Sequence, residues 1–111
     1  MSTIFSMILD GKLPCDQVYE DELCIAFRDI NPTAPMHILV IPRTEIAQLS
    51  HMTEEQEKLI GHLMRVTGIV AQQEGLDDFR VIVNNGAGAG QTVFHLHLHV
   101  IGGRSLSWPA G

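Results

Sequence analysis

The sequence predicts an α+β fold, with one long and one short helix on one side of a five-stranded antiparallel sheet. Apolar residues recur at spacings of three and four from about Glu54 to Gln73 and indicate an amphipathic helix. Short β-prone runs are joined by tight or irregular loops. The run His95–Ile101 alternates polar and apolar residues without a break, as a half-buried strand does.

The first half of the chain predicts the short helix and three strands. A helix capped by Ser2 or Thr3 runs to about Leu9, and Gly11 stops it. Two prolines in the loop at residues 31–35 disfavour helix there, because each restricts the residue before it. The strands are predicted at residues 17–20, 23–29 and 36–41.

The second half predicts the long helix and the last two strands. A brief helical turn at residues 46–49 precedes Thr53-Glu54-Glu55-Gln56, a capping-box pattern that marks a helix start. Gly75 ends the helix. The remaining strands are Phe79–Asn84 and His95–Ile101. Because no repeat or low-complexity linker divides the chain, we expect a single domain over residues 1–111.

Composition excludes several classes of protein. A net charge of −6 with His neutral disfavours a nucleic-acid surface, which requires a basic stripe, but permits a nucleotide in one local pocket. No stretch reaches the ~20 apolar residues of a membrane span, and the start lacks a signal-type pattern. With only Cys15 and Cys24, we expect free thiols, a cytoplasmic location and no membrane or nucleic-acid partner.

Three histidines lie in register on one side of the last predicted strand: His95, His97 and His99. They could be an ordinary polar face, although imidazoles are a poor choice for one. They could bind zinc, but on a straight strand His95 and His99 diverge too far to share an ion, so a His97–His99 pair would need His37 as third ligand. They could also perform phosphate chemistry, since a neutral imidazole is a nucleophile near pH 7 and its neighbours can donate to phosphoryl oxygens.

A glycine-rich loop leads directly into the histidine strand. Gly86-Ala87-Gly88-Ala89-Gly90 matches neither a dinucleotide fingerprint nor a phosphate-binding loop followed by lysine. Its position, followed by Gln91 and Thr92, favours phosphate contact through backbone N–H groups, the amide and the hydroxyl.

Several stretches together resemble one family. The stretches are Asp29-Ile30-Asn31-Pro32, Ala34 to Pro42, Asn84 with the glycine-rich loop, His95-Leu96-His97-Leu98-His99, Gly102-Gly103-Arg104 and Trp108-Pro109. They are similar to the histidine-triad superfamily, and to its branch of histidine-triad nucleotide-binding proteins, over nearly the whole chain.

The resemblance implies a homodimeric purine nucleoside phosphoramidate hydrolase that releases AMP or GMP without a cofactor or metal. His97 is then the nucleophile, His99 and Thr92 stabilise phosphoryl oxygens, His37 supports them, and the His95 carbonyl fixes the His97 tautomer. The carboxylate of Asp29 would accept from ribose hydroxyls. The remaining nucleotide contacts would come from Phe5, Phe27, Ile30, Asn84, Gly90, Gln91 and Leu98. Trp108 would lie beside the substrate site near the dimer partner.

Three alternatives remain open on sequence. Gln91-Thr92-Val93 also occurs in the dinucleotide-hydrolase branch, which favours a diadenosine-polyphosphate hydrolase. A nucleotide-binding scaffold with incidental hydrolysis would use the same residues. A zinc-binding protein would use His37, His97 and His99. A homodimer would pack through the long helix, which carries Gly61 and Gly68, and the final strands.

Overall fold

A computed structural model describes residues 2–111 and confirms the predicted order of helices and strands. The elements are α1 (Ile4–Leu9), β1 (Gln17–Glu20), β2 (Cys24–Arg28), β3 (Met36–Pro42), α2 (Glu57–Gln73), β4 (Phe79–Ile82) and β5 (Leu98–Gly102). Short 3-10 turns occupy Leu49–His51, Glu54–Gln56 and Ala87–Ala89. The predicted capping box forms at Thr53 with Gln56, and Thr3, which caps α1, forms another with Ser6. No helix within residues 2–111 is long and apolar enough to cross a membrane.

The five strands form one antiparallel sheet in the order β1-β2-β3-β5-β4. The central strand β3 pairs with β2 on one side and with β5 on the other. One line of register partners crosses three strands and joins Phe27, Leu39 and His99. These three side chains therefore share one face of the sheet, since partners directly across a pleated sheet point the same way.

The two faces of the sheet carry separate apolar clusters. On the helix face, α2 packs against β3 and β5, and the buried cluster includes Leu63, Val66, Ile38, Val40, Leu98 and Val100. On the opposite, pocket face, Phe5 of α1 packs on Ile25, Phe27, Leu39 and Ile41. The expectation that both helices lie on one side of the sheet is therefore wrong. Phe5 is the one buried residue of α1, and it anchors that helix to the other face.

The last strand begins at Leu98, three residues later than predicted. Its partner β3 ends at Pro42, which has no N–H for a ladder bond. Before Leu98 the chain turns away from the sheet, and the Leu96 N–H donates to the Ile46 carbonyl at 2.6 Å. The alternation still holds for burial, because Leu96, Leu98 and Val100 all join the helix-face core.

Candidate active site

A cavity of about 730 Å³ opens between α1 and the pocket face of the sheet. Seven predicted site residues line it: Phe5, Phe27, Asp29, Ile30, Thr92, His97 and His99. Its floor is the line formed by Phe27, Leu39 and His99, so apolar side chains extend from His99 across β3 to β2. With two strand spacings between them, Phe27 and His99 lie roughly 10 Å apart along this floor.

His97 is held in one tautomer by its own backbone. Its Nδ1–H donates to the His95 carbonyl at 2.7 Å, as predicted, and a carbonyl can only accept. In the neutral ring Nε2 therefore carries the lone pair. Burial lowers the pKa of His97, and the Phe5 ring packs edge-on against the imidazole at 5.0 Å between centroids. The result is a neutral, oriented imidazole at the wall of the cavity.

His37 and His99 form a hydrogen-bonded chain behind His97. The Thr33 N–H donates to His37 Nδ1 at 3.1 Å, which places the proton of neutral His37 on Nε2. That Nε2–H donates to His99 Nδ1 at 2.9 Å and leaves the proton of neutral His99 on its own Nε2. Burial, then the neighbouring His97 and His37, lowers the pKa of His99 to about 4. His99 thus enters the cavity as a neutral N–H donor.

Asp29 follows β2 and lies where the hydrogen-bonded chain of His37 and His99 meets the cavity. Its Oδ1 accepts the Asn31 N–H at 2.8 Å, and its Oδ2 lies 3.4 Å from His37 Nε2. The carboxylate is thereby fixed at the end of β2 and faces the histidine pair. The contact at Thr33 was not predicted, because a backbone N–H leaves no mark in a sequence.

His95 does not share the open face with the other two histidines. It is 1% exposed, and its Nε2–H donates to the Pro42 carbonyl at 2.9 Å. Its ring packs edge-on against Phe5 at 6.3 Å between centroids, so it is on the same side as His97, but it is buried and outside the cavity lining. The prediction that all three imidazoles face the site in one row is therefore wrong for His95. Its ring ties the approach segment to the end of β3, while its carbonyl orients His97.

The glycine-rich loop is braced internally by Gln91. The Gln91 side chain is buried; its Oε1 accepts the Gly86 N–H at 2.8 Å, and its Nε2 donates to the carbonyls of Ala47 and Val93. The prediction that this amide contacts phosphate is wrong for this conformation, because its oxygen and nitrogen already have partners. Gly90 has φ +96°, a left-handed conformation that favours glycine, and it leads the chain to the exposed Thr92 at the cavity.

Two further predicted contacts lie elsewhere. The Leu98 side chain is 0% exposed in the helix-face core, so it cannot touch a ligand in the cavity. Asn84 stands beside Gly90 and outside the cavity lining. Sequence reasoning missed Leu39 as part of the floor, because a residue inside a continuous apolar strand carries no sign of which face it occupies.

The fold and the site define an α+β domain in which His97 and His99 line a pocket on the side of a five-stranded sheet that the short helix α1 covers only in part. The chain belongs to the HIT domain family, which matches residues 10–106. It is 53% identical to an uncharacterised HIT-like protein of Synechococcus elongatus over 110 residues, which cover 98% of this chain and 96% of that protein.

A further relative and a solved structure are also similar to this chain. A 14 kDa zinc-binding protein of Zea mays is 46% identical over 112 residues, covering 98% of this chain and 88% of that protein. The crystal structure of a HIT family hydrolase from Legionella pneumophila superposes with a TM-score of 0.96 at 38% identity, covering 99% of this chain and all of that one. The fold is thus that of HIT family hydrolases.

Proposed function

We propose that this protein is a purine nucleoside phosphoramidate hydrolase of the histidine-triad nucleotide-binding branch, acting through a nucleotidyl-histidine intermediate. The observation that carries the proposal is the hydrogen bond from His97 Nδ1–H to the His95 carbonyl. It leaves a basic Nε2 on a neutral, buried ring beside a cavity large enough for a nucleotide.

In the first step, His97 Nε2 attacks the α-phosphorus of the phosphoramidate. The P–N bond to the amine breaks as the bond from phosphorus to His97 forms, and the amine leaves with the electron pair and takes up one proton. An anionic phosphoryl group beside His99 favours the protonated form of His99, which can supply that proton. The His95 carbonyl stabilises the positive charge that His97 acquires.

In the second step, water attacks the same phosphorus and the bond to His97 breaks. AMP or GMP is released, and His99 regains a proton from the attacking water. The Thr92 hydroxyl and His99 donate to phosphoryl oxygens in both steps. Phe5, Phe27 and Ile30 would hold the flat purine, and the Asp29 carboxylate would accept from ribose hydroxyls.

The histidine site does not fit a resident metal. The maize relative is named a zinc-binding protein. Within residues 2–111, one set of donors within 4.8 Å of one another lies beside the cavity, on Asp29, His37 and His99. His97, the other ligand of the zinc alternative, is outside that set. Because the Thr33 N–H occupies His37 Nδ1, neutral His37 keeps its proton on Nε2, where a metal would need a lone pair. We therefore propose hydrolysis without a cofactor.

The test is a phosphoramidase assay in chelator with adenosine and guanosine phosphoramidates. His97→Ala should abolish turnover, while His51→Ala, which removes an exposed histidine outside the cavity, should leave it unchanged. Wild-type protein should form a covalent nucleotidyl adduct that mass spectrometry after alkaline quenching places on His97, because the phosphorus–nitrogen bond of such an adduct is stable in base and labile in acid. Equal turnover by wild type and His97→Ala would refute the proposal.

A diadenosine-polyphosphate hydrolase is the second candidate. Ile30 is 91% exposed at the cavity mouth, so the cavity is open to solvent and can admit a ligand that extends beyond a mononucleotide. Comparing kcat/KM for diadenosine tetraphosphate and an adenosine phosphoramidate under one condition separates the two. If both are inert but AMP binds, a nucleotide-binding scaffold becomes the better account.

We also propose that the protein acts as a homodimer. Added Cβ atoms at Gly61 and Gly68 would meet nothing within 4 Å, so close packing inside the chain does not explain either glycine. Met64 beside them is 47% exposed on the same helix, and Trp108 is 85% exposed near the end of the chain. A second copy of the chain that covers these surfaces would bring Trp108 toward a histidine site of the dimer. Sedimentation as a 12 kDa species would contradict this.

A further inference from the structure

We propose that Asp21, Cys24 and His62 form a second site, which binds one divalent transition-metal ion of the zinc class. A carboxylate oxygen, the thiol sulfur and an imidazole nitrogen of these residues all lie within 4.8 Å of one another. Cys24 belongs to the helix-face core, whereas the catalytic histidines line the cavity on the pocket face. The site is therefore separate from the hydrolase chemistry.

The ligand types and their spacing suit zinc. Oxygen, sulfur and nitrogen donors from Asp, Cys and His are the ligands that zinc takes in proteins, and the first two ligands of a zinc site are typically separated by two to four residues. Asp21 and Cys24 are separated by two residues at the turn between β1 and β2, and His62 approaches from α2. Three protein ligands leave a fourth position for water.

The carboxylate is already held in place. Asp21 Oδ1 accepts the N–H groups of Leu23 and Cys24 at 2.8 and 2.9 Å, and Oδ2 accepts the Tyr19 hydroxyl at 2.9 Å. His62 Nε2 lies 2.6 Å from the same Oδ2. In a tetrahedral zinc site two such donors stand ~3.3 Å apart, so the imidazole must withdraw by less than 1 Å.

His62 can release the lone pair that a metal needs, in contrast to His37. No residue of 2–111 hydrogen-bonds His62 Nδ1, so the ring can carry its proton there and present Nε2. The His62 and Asp21 side chains are 24% and 25% exposed, so solvent reaches two of the three ligands, and an ion must pass between them to reach the buried Cys24 sulfur. On binding, the thiol proton is lost to solvent and a metal–sulfur bond forms.

Bound metal would join α2 to the β1–β2 turn across the edge of the helix face. The ion would replace the hydrogen bond between His62 and Asp21 with bonds to three residues on two elements. A metal that binds only the folded chain raises its stability, so the melting temperature should rise with metal concentration.

The test is titration of the full-length, metal-free protein with Co²⁺, followed by thiolate-to-cobalt charge-transfer absorption. Wild type should show this band at one equivalent of Co²⁺, lose it on addition of Zn²⁺, and melt at a higher temperature with either ion. Cys24→Ser should lose the band, and Cys15→Ser, which removes the thiol at the cavity rim, should keep it. No band in folded wild type, or a band that survives Cys24→Ser, overturns the proposal.

His62→Gln keeps the proposal testable if Cys24→Ser fails to fold, because His62 is partly exposed on α2. This variant should lose both the band and the melting shift. His99→Asn should keep both, since the histidine site is on the other face. Co²⁺ binding that disappears in His99→Asn and persists in His62→Gln would place the metal at the histidines and overturn the inference. None of these outcomes depends on hydrolase activity.

Discussion

The two faces of the sheet differ in how much helix covers them. On the helix face, α2 has 17 residues and is about 25 Å long, and it seals a core in which Leu63, Val66 and Leu98 are 0% exposed. On the pocket face, α1 has 6 residues and is only about 9 Å long, so a cavity remains beside it. The same strands supply both faces. Helix length therefore decides which side of the sheet is a core and which side is a site.

After the loss of the His97 nucleophile, the largest effect is expected on the pocket face, from His37→Asn. This change removes the Nε2–H that His37 donates to His99 Nδ1, so the tautomer and proton supply of His99 are no longer fixed. We expect kcat for a phosphoramidate to fall by about 10²–10⁴, the usual contribution of acid–base catalysis. The measurement is steady-state kinetics with an adenosine phosphoramidate.

A matched substrate sharpens this prediction. With an adenylate ester whose leaving group departs without a proton, His37→Asn should lower kcat much less than it does with the phosphoramidate. An equal loss with both substrates would mean that His37 only holds the site together. His51→Asn, remote from the cavity, is the control.

The next effect is on stability, and it should separate the two faces. Leu63→Ala on the helix face removes a fully buried side chain from a sealed core and should lower the free energy of unfolding by about 2–5 kcal/mol without changing KM. Leu39→Ala on the pocket face should lower it less, because Leu39 borders the cavity, and should raise KM. Urea denaturation and kinetics on the same samples measure both. Equal stability losses with no change in KM would contradict the contrast between the faces.

The lowered pKa values of His97 and His99, both on the pocket face, predict how stability and activity change with pH. Folding lowers the pKa of His97, and that of His99 to about 4, so below their ordinary value of ~6.5 the unfolded chain binds more protons than the folded chain. Stability from this pair is complete above pH ~6.5 and is lost as the pH falls toward 4. Likewise kcat/KM should persist through pH 6.5 and fall only below it, when His97 protonates.

Stability curves for wild type and His99→Asn check the sign. Between pH 6.5 and 4 the wild type should lose stability more steeply than the variant, and above that window the two slopes should agree. A wild-type stability that rises as the pH falls through the window would show that the folded chain favours charged imidazoles, contrary to the burial of His97 and His99.

The sequence predicted the helix face better than the pocket face, and the reason is physical. Apolar periodicity reports burial, and Leu96, Leu98 and Val100 all enter the core as their alternation predicts. Periodicity does not report where a strand leaves its neighbour, so the turn that buries His95 was missed. The position of α1 was missed too, since one buried Phe5 can pack on either face.

The site residues divide in the same way. Side chains with distinctive chemistry, such as His97, His99 and Asp29, were found from the sequence and do line the cavity. The groups that fix their tautomers are the His95 carbonyl, which a residue of any type could supply, and the Thr33 N–H, which any residue except proline could supply. Gln91 shows the converse, because a polar side chain beside a site can be used entirely in bracing its own loop.

The smallest effect is expected where the two faces meet, from Glu74→Gln. Arg28 ends β2 at the cavity rim, and its NH1 and NH2 groups donate to the Glu74 carboxylate at the end of α2 at 2.6 and 3.0 Å. The Arg28 side chain is 39% exposed, so water and salt screen the pair, and Glu74→Gln should lower the free energy of unfolding by only about 0.5–1 kcal/mol.

The Arg28 hydrogen bonds lower the pKa of Glu74, so the pair stabilises the fold above the carboxylate's ordinary pKa and this stability is lost as the pH falls. Urea denaturation should therefore show a difference between wild type and Glu74→Gln at pH 7 and low salt that disappears in acid and shrinks in high salt. If the stability difference between wild type and Glu74→Gln persists in acid and in high salt, the Arg28–Glu74 pair is shielded from solvent. The rim at Arg28 would then be packed as tightly as the helix face, and the open part of the pocket face would start beyond Arg28.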